Sequence, residues 1–299
     1  TGAPALNGVD LHIKKGEFVF IVGDSGSGKS TLIKTLTGEI PTIGGQVFVA
    51  GKPIENYTQK ELSKHIAIVT TDKVQSGGLK VIELINLGRH PHTGYFGRLT
   101  DKDVQIVRKA MNDVGIAHKE NSFLSELSDG ERQKVMIARA IAQQTPVIIL
   151  DEPFSGFDPV NAQVIREEIL RLRDEGATII LSTHNMESVE ELCDNITLIN
   201  KSKVVISGGV DEIRRKYGNN NVEVVYTGAV AVTSVPGSFT VLSDVDDSGR
   251  HTAVLALEEG ADTNSAITQM MSAGLKISSF KELVPRMNDI FIKLVTEEE

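Results

Sequence analysis

A glycine-rich segment between a strand-like run and a helix-like run constrains this chain more than any other feature. Residues 17–22 read EFVFIV, and residues 32–38 read LIKTLTG. The segment between them matches G-x-x-x-x-G-K-[ST], which predicts a loop whose backbone N–H groups converge on phosphate oxygens. The positive end of the following helix is directed at the same place. The predicted phosphate loop consists of Gly23, Asp24, Ser25, Gly26, Ser27, Gly28, Lys29, Ser30 and Thr31.

Two side chains of this loop have separate expected roles. Lys29 reaches the β- and γ-phosphates of a nucleotide, and Ser30 offers its hydroxyl to Mg²⁺. The alternative is an ordinary glycine-rich turn between a strand and a helix. The full pattern in the expected context disfavours that alternative.

A second apolar run ends in two acidic residues. In VIILDE, residues 147–152, Asp151 can hold Mg²⁺ through water, and Glu152 can act as the general base towards the γ-phosphate. An acidic pair alone fits a solvated strand end equally well, but the apolar run and the phosphate loop favour the catalytic interpretation. His184 ends a third apolar run, at the sheet edge where ligands bind. There it can contact the γ-phosphate and Glu152, or be a bystander.

The apolar pattern places these motifs in a mostly parallel sheet. Continuous apolar runs predict buried strands, and apolar residues at helical spacing predict helices. The predicted strands are 6–13, with one wet face, 17–22, 46–51, 146–150 and 177–183, and the predicted helical regions are 80–145 and 161–176. From 219 to 299, alternating strand-like and helix-like stretches predict a small α+β domain, with a hinge in GNNN at 218–221.

Composition limits the classes of function. The net charge is -9, which argues against a general nucleic-acid binder. The single cysteine, Cys193, suits a reducing compartment, and the apolar runs are much shorter than the roughly 18 residues of a membrane span. The segment NKSK at 200–203 lacks the aspartate of a guanine-binding motif, which disfavours GTP.

The stretch LSDGERQKVMIARAIAQ, residues 127–143, resembles the signature motif of the ABC ATPases. SGFD at 155–158 resembles their D-loop, and His184 resembles their switch histidine. The resemblance covers about residues 5–210. It implies a P-loop NTPase α/β fold with a mostly parallel sheet, an antiparallel β subdomain and a helical insertion at about 72–145. The ATPase domain would span 1–218, and the accessory α+β domain 219–299.

The resemblance also implies a head-to-tail dimer, in which ATP lies between the phosphate loop of one copy and the signature of the other. The signature opens a helix and forms a second anion cradle, which is superfluous within one chain but useful to a partner. The same residues also fit a helix N-cap, which does not exclude the function. The signature residues expected to contact nucleotide are Ser128, Asp129, Gly130 and Glu131.

Two positions depart from the family pattern. Thr71 stands where the family has a glutamine that reaches Mg²⁺ and water, and Asp72 or Gln75 are possible substitutes. No aromatic residue precedes Phe18, so the usual stacking partner of adenine is missing. Base stacking contributes roughly 1–3 kcal/mol, so we expect weaker ATP affinity and poor discrimination among bases.

Three consecutive blocks resemble different branches of the family. The first, about 5–34, resembles the cell-division ATPase. The middle block, 88–143, resembles iron-siderophore and haem importer ATPases, and the remainder resembles ABC-2 exporter ATPases. This pattern raises the hypothesis of an engineered chimera with joins near 50–65 and 145–155, beside that of a divergent natural ATPase.

Three functions remain to be compared. The first is an ATPase at the cytoplasmic face of a membrane, docked to a permease through residues 72–100. The second is a nucleotide switch that dimerises with little hydrolysis, which Glu152 argues against and the missing glutamine favours. The third is an ABC ATPase of DNA repair or translation, and the chain lacks the coiled-coil insertions or tandem units of that class.

Overall fold

The computed structural model describes residues 5–70, 78–94, 97–154, 157–184, 192, 194–228, 230–258 and 260–297. The chain divides into two compact units, residues 1–209 and residues 210–299. The expected domain boundary at residue 218 stays a prediction.

The strands are short in the first unit and longer in the second. They are β1 Phe18–Val22, β2 Phe48–Val49, β3 Lys52–Pro53, β4 Ile66–Val69, β5 Val147–Asp151, β6 Thr178–Thr183, β7 Asn195–Asn200, β8 Lys203–Gly209, β9 Asn221–Thr227, β10 Phe239–Asp247, β11 Arg250–Leu257 and β12 Lys276–Leu283.

The helical region predicted at 80–145 contains three of the α-helices of the described ranges, numbered α3 to α5 below. The α-helices are α1 Lys29–Leu36, α2 Gln59–Leu62, α3 Val81–Asn86, α4 Asp101–Asp113, α5 Asp129–Gln143, α6 Pro159–Asp174, α7 Val210–Lys216, α8 Thr263–Ser272 and α9 Met287–Glu297. Short 3₁₀ helices span Ile54–Asn56, Leu87–His92, Ala117–Lys119 and Leu124–Glu126. None of these helices has the length and hydrophobicity that crossing a lipid bilayer requires.

The first unit is built on a six-stranded sheet in the order β4-β5-β6-β1-β7-β8. All neighbouring pairs are parallel except β7 and β8, which form an antiparallel hairpin. The predicted fold class is therefore confirmed, with a small antiparallel β2–β3 pair beside the main sheet. Every residue of β1 and β6 is buried, because helices cover both faces of such a sheet.

The predicted helix at 161–176 is confirmed by α6, and its ends show why it forms there. The carboxylate of Asp158 accepts hydrogen bonds from the amides of Val160 and Asn161, and Pro159 occupies the first helical position. Gly176 follows the helix with φ +93°, a conformation that glycine adopts without strain.

The prediction of a strand at 6–13 is wrong. No strand is present in the described part of this segment, although Leu6, Val9, Leu11 and Ile13 pack against the core of the first unit. The alternating pattern therefore corresponds to one half-buried face of a segment that does not pair as a strand. The predicted strand at 46–51 is reduced to β2.

The second unit contains a four-stranded antiparallel sheet in the order β10-β11-β9-β12. The inward residues of the central strand β9 are Val222, Val224 and Tyr226, all buried. They pack with Ala266 and Met270 of α8 in one hydrophobic core. The strand and helix predictions for this part of the chain are confirmed.

Candidate active site

Three neighbouring strands bring the predicted site residues to one edge of the main sheet. β6 lies between β5 and β1, and the three strands are parallel. In the register, Val22 lies beside Thr183, and Asp151 lies beside Ser182. The carboxyl ends of the strands therefore place the phosphate loop, His184 and the acidic pair along the same edge, where ligands of open α/β sheets bind.

The phosphate loop, Gly23–Thr31, connects β1 to α1 and curls around the end of its own lysine. The ammonium Nζ of Lys29 donates hydrogen bonds to the carbonyl oxygen of Gly23 at 2.5 Å and to that of Asp24 at 3.1 Å. Lys29 is only 8% exposed. Gly28 caps α1 with φ +113°, and the amides of the first helical turn follow it directly.

The first and last glycines of this loop are needed for space. A Cβ atom on Gly23 would lie 2.2 Å from the carbonyl oxygen of Ile199, and one on Gly28 would lie 2.8 Å from that of Ala5. Backbone atoms cannot yield to such a clash, so larger residues are excluded at both positions. Asp24, Ser25, Gly26 and Ser30 are exposed, whereas Ser27 is buried and Thr31 half-buried.

The charge of Lys29 is influenced by the acidic pair at the end of β5, the next strand but one in the sheet. Burial lowers the pKa of Lys29, and the charges of Glu152, Asp151 and Asp24 act in the opposite direction. The ammonium therefore lies in the field of the acidic pair as well as at the mouth of the loop. This arrangement suits a bound anion, because the cation is desolvated and held by carbonyl oxygens.

Asp151 is held by a residue that the sequence analysis missed. The hydroxyl of Ser182 on β6 donates a hydrogen bond to Asp151 Oδ1. Ser182 is fully buried. A polar residue within the apolar run ATIILST was the available signal, because a buried hydroxyl requires a partner.

Glu152 leaves the strand in an unusual conformation. Its φ is +47°, in the left-handed region that costs a non-glycine residue about 1–3 kcal/mol. Its backbone N–H donates to the carbonyl oxygen of Ser182 at 3.1 Å and approaches the Ser182 hydroxyl at 3.3 Å. These bonds fix the turn and place the Glu152 carboxylate Oε1 2.8 Å from Nδ1 of His184.

The signature residues form a capping box at the start of α5. The amide of Glu131 donates to the Ser128 hydroxyl oxygen at 3.3 Å, and the amide of Ser128 donates to Glu131 Oε2 at 2.9 Å. Lys119 Nζ lies 3.1 Å from Glu131 Oε1. These contacts lower the pKa of Glu131, the backbone bond from Ser128 most of all. Ser128 and Asp129 are exposed, with Gly130 half-buried beside them, so the cap leaves this end open.

The structure brings some predicted residues together and leaves others apart. Lys29, Asp151, Glu152 and His184 share one edge of the sheet. Among the described residues, no hydrogen bond or ion pair joins the signature residues 128–131 to the phosphate loop. Ser155, Gly156 and the candidate glutamine substitutes at 71–77 lie outside the described residues.

Comparison with known proteins decides the family. The family model described as ABC transporter matches residues 6–155. This chain belongs to the ABC transporter ATP-binding family. A second model, described as the C-terminal domain of DrrA1-3-like ATP-binding proteins, matches residues 208–295.

Two relatives show how far the likeness of this ABC ATPase extends. An uncharacterized ABC transporter ATP-binding protein of Methanocaldococcus jannaschii is 36% identical over 212 residues, which cover 71% of this chain and 73% of the relative. The uncharacterized ABC transporter ATP-binding protein YhaQ of Bacillus subtilis is 30% identical over 310 residues, covering 97% of this chain and 93% of the relative. One continuous relative thus spans all three blocks, and the chimera hypothesis gains no support.

Two solved structures of one cassette are similar to this ABC ATPase over about two thirds of its length. The dimeric structure of a bacterial ABC transporter cassette has a TM-score of 0.62 and 25% identity, covering 69% of this chain and 90% of that chain. Its post-hydrolysis state, bound to ADP and phosphate, has a TM-score of 0.60 with the same identity and coverage. The chain is an ATPase that couples ATP hydrolysis to membrane transport, and the switch without hydrolysis is not favoured.

Proposed function

We propose that the phosphate loop holds the triphosphate of ATP, and that Glu152, oriented by His184, activates the water that hydrolyses it. One observation carries this proposal: the loop, the acidic pair and His184 end three adjacent parallel strands. Lys29 is electrostatically coupled to Asp151 and Glu152, which supports a shared site.

The donor set of this site fits Mg²⁺. The hydroxyl of Ser30 and the carboxylate of Asp151 are the hard oxygen ligands that Mg²⁺ binds together with waters and substrate phosphates. Ser182 donates to Oδ1 of Asp151. No hydrogen bond or ion pair within the described ranges involves Oδ2, which can face the ion or its water. Among the described residues, no cluster of three or more His, Cys, Asp or Glu side chains could hold a metal ion. When bound, Mg²⁺ would neutralise charge on the phosphate oxygens.

The chemistry assigned to the protein side chains is a proton transfer during attack of water. The Glu152 carboxylate accepts a proton from the attacking water. The oxygen of this water bonds to the γ-phosphorus, and the bond between the γ-phosphorus and the oxygen that bridges it to the β-phosphate breaks. Lys29 stabilises negative charge on the departing β-phosphate and on the γ-phosphate. His184 holds Glu152 at 2.8 Å and orients the carboxylate.

The signature residues act on ATP held by a second copy. Ser128, Asp129 and Gly130 stand at the positive end of α5, which has fifteen residues. A complete phosphate loop is already present in the same chain, so this second cradle serves a partner arranged head to tail. The similar cassette structure is dimeric, which supports the pairing of two copies. Each copy then donates both halves of an interface, which closes as a two-fold ring.

A membrane permease is the proposed partner of the dimer, at the cytoplasmic face of the membrane. Residues 72–100 are the proposed docking region, of which 78–94 and 97–100 belong to the described residues. Within it, Leu87 is 53% exposed. The second unit is assigned an accessory role, regulatory or in support of the dimer.

The Glu152→Gln variant tests the catalytic assignment, because glutamine keeps the shape but cannot accept a proton. We expect steady-state phosphate release to fall at least roughly 100-fold. ATP binding should be retained, and the variant should accumulate as an ATP-bound dimer. The matched control is Glu167→Gln, an exposed glutamate of α6 that hydrogen-bonds to Gln163.

Two outcomes would count against the proposal. Undiminished hydrolysis by Glu152→Gln would remove Glu152 from the reaction. A strictly monomeric Glu152→Gln protein in ATP and Mg²⁺, by light scattering, would remove the two-copy site.

A further inference from the structure

The turn between β7 and β8 is held in a fixed conformation beside the phosphate loop. Lys201 and Ser202 have φ values of +44° and +71°, and Asn200 pairs with Lys203 across the turn. Two consecutive residues with positive φ form the tight hairpin turn that matches strand twist. Ser202 has a backbone conformation that glycine would adopt without strain.

The end of β7 lies against the beginning of the phosphate loop, and the turn contacts the middle of the loop. The Ser202 N–H donates to the carbonyl oxygen of Ser27 at 3.1 Å, and the Ser202 carbonyl accepts from the N–H of Asn7 at 2.8 Å. At the beginning of the loop, a Cβ on Gly23 would lie 2.2 Å from the Ile199 carbonyl oxygen. The end of β7 thus supports the loop at two points.

The hydrogen bond to Ser27 has a directional consequence. The peptide unit is planar and trans, so the C=O of Ser27 and the N–H of Gly28 point in opposite directions. Because Ser202 holds that C=O on its own side, the Gly28 N–H is directed away from the turn. Gly28 caps α1, so this amide belongs to the group that a phosphate would contact.

Two buried polar atoms accompany this contact. Ser27 is 6% exposed and Asn200 is 8% exposed. The hydroxyl oxygen of Ser27 and the side-chain nitrogen Nδ2 of Asn200 are buried and have no hydrogen-bond partner among the described residues. Buried polar groups are nearly always paired, so unpaired ones at the contact of turn and loop call for a functional explanation.

We infer that the turn Asn200–Ser202 is a positioning element for the phosphate loop, acting through Ser27 to direct the Gly28 amide towards a nucleotide phosphate. This inference rests on the proposed role of residues 23–31. In this role the turn itself does not contact the nucleotide. The backbone N–H of Ser202 keeps the loop in its binding shape. An added negative charge at the turn would repel the phosphates.

Substitutions of Ser202 test the inference. Ser202→Pro removes the N–H and cannot take the positive φ, whereas Ser202→Gly keeps the N–H and suits the conformation. We expect the Kd for both ATP and ADP to rise at least about ten-fold in Ser202→Pro and to change less than about two-fold in Ser202→Gly. The kcat at saturating ATP should change less than about three-fold, because Glu152 and His184 belong to other strands.

Ser248→Pro is the matched control, because Ser248 has φ +55° in the β10–β11 turn of the second unit. Its ATP affinity should match that of the unaltered protein. If Ser202→Pro folds, as shown by its thermal midpoint without nucleotide, and binds ATP as tightly as the control, the inference is overturned.

Asn200→Asp keeps the test decisive if Ser202→Pro does not fold. The added carboxylate should raise the Kd for ATP at least about ten-fold at pH 8, whereas uncharged Asn200→Ser should have a much smaller effect. A Kd for Asn200→Asp within two-fold of the unaltered value would then overturn the inference. Lys29→Ala separates the two levels: unchanged ATP binding in that variant would instead contradict the phosphate-loop assignment itself.

Discussion

Nδ1 of His184 lies 2.8 Å from Oε1 of Glu152, although the two residues are 32 positions apart in the chain. The contact exists because β5 and β6 are adjacent and parallel and end at the same edge. The Glu152 side chain is 23% exposed and that of His184 is 70% exposed. The glutamate is therefore held within the site while the histidine remains accessible from solvent.

Removal of this contact should slow hydrolysis more than it weakens ATP binding. In His184→Ala the Glu152 carboxylate loses its partner and samples unproductive orientations. We expect kcat to fall roughly 100-fold with little change in KM, measured as steady-state phosphate release. His90→Ala is the control, since His90 is exposed in the Leu87–His92 segment. Equal rates for the two variants would contradict the assigned role of His184.

Ser182 should affect the metal requirement more than the fold. Ser182→Ala removes the donor to Asp151 Oδ1, so the carboxylate is less firmly oriented. The Mg²⁺ concentration for half-maximal ATPase activity should rise roughly ten-fold. Thr145→Val is the control, because it removes a different buried hydroxyl, one that donates to the backbone carbonyl of Val147 and not to the acidic pair. A Mg²⁺ dependence that is shifted equally in both variants would show a general loss of stability instead.

Continuous apolar runs were sufficient to predict β1, β5 and β6, because a strand that is buried on both faces is apolar at successive positions. Alternation was less informative, since residues 6–13 bury one face without joining a ladder. The β7–β8 hairpin was not anticipated, and neither was its contact with the phosphate loop. That contact depends on the register of distant strands, which a local pattern does not contain.

The order of the motifs predicted which residues gather at the sheet edge, but not how they are held. The positive φ of Glu152 and the hydroxyl of Ser182 are consequences of two strands meeting at one register. A polar residue within a buried run is the general sign of such support. The capping box of Ser128 and Glu131 was visible in the sequence, because both partners lie within one helical turn.

The buried ion pair of the helical region should give stability that is lost in acid. Hydrogen bonds from Thr100, with the charge of Arg89 beside them, lower the pKa of Asp103 from its ordinary value of 3.8 to about 2. A carboxylate whose pKa is lowered by folding stabilises the fold when the pH is above its pKa in the unfolded chain. This stabilisation declines as the pH falls towards 2. Arg89 is 5% exposed, so Asp103→Ala should cost about 3 kcal/mol near pH 7 by leaving its charge unpaired.

Denaturant unfolding of the unaltered protein and of Asp103→Ala between pH 3 and pH 7 checks this expectation. The difference in unfolding free energy should be constant above about pH 5 and shrink below pH 4. Lys109→Ala is the control, because Lys109 forms an ion pair with Asp113 while its side chain is 64% exposed. It should cost less than about 1 kcal/mol. A difference for Asp103→Ala that does not vary with pH would contradict the lowered pKa of Asp103.

Mixing two inactive variants distinguishes a site shared between copies from one completed within a chain. Lys29→Ala lacks the phosphate-binding ammonium, and Ser128→Arg blocks the signature with a bulky side chain. In a head-to-tail dimer of one chain of each kind, one site receives both altered residues and the other receives none. We therefore expect each variant alone to be nearly inactive, and the mixture to recover about a quarter of the original ATPase rate if subunits pair at random and the sites act independently.

The loss of the Ser128 helix cap needs its own control, because capping contributes about 1 kcal/mol to stability. Thr100→Ala removes the corresponding cap of α4, where the Thr100 hydroxyl accepts from the amide of Asp103. It should lower the thermal midpoint about as much as Ser128→Arg while leaving ATP-dependent dimerisation intact. If the mixture stays as inactive as its two components although all three proteins fold, the phosphate loop and the signature do not complement each other across two copies. Sites that act only as a pair would give the same result, so binding of ATP to the mixed dimer, measured by titration, decides between these explanations.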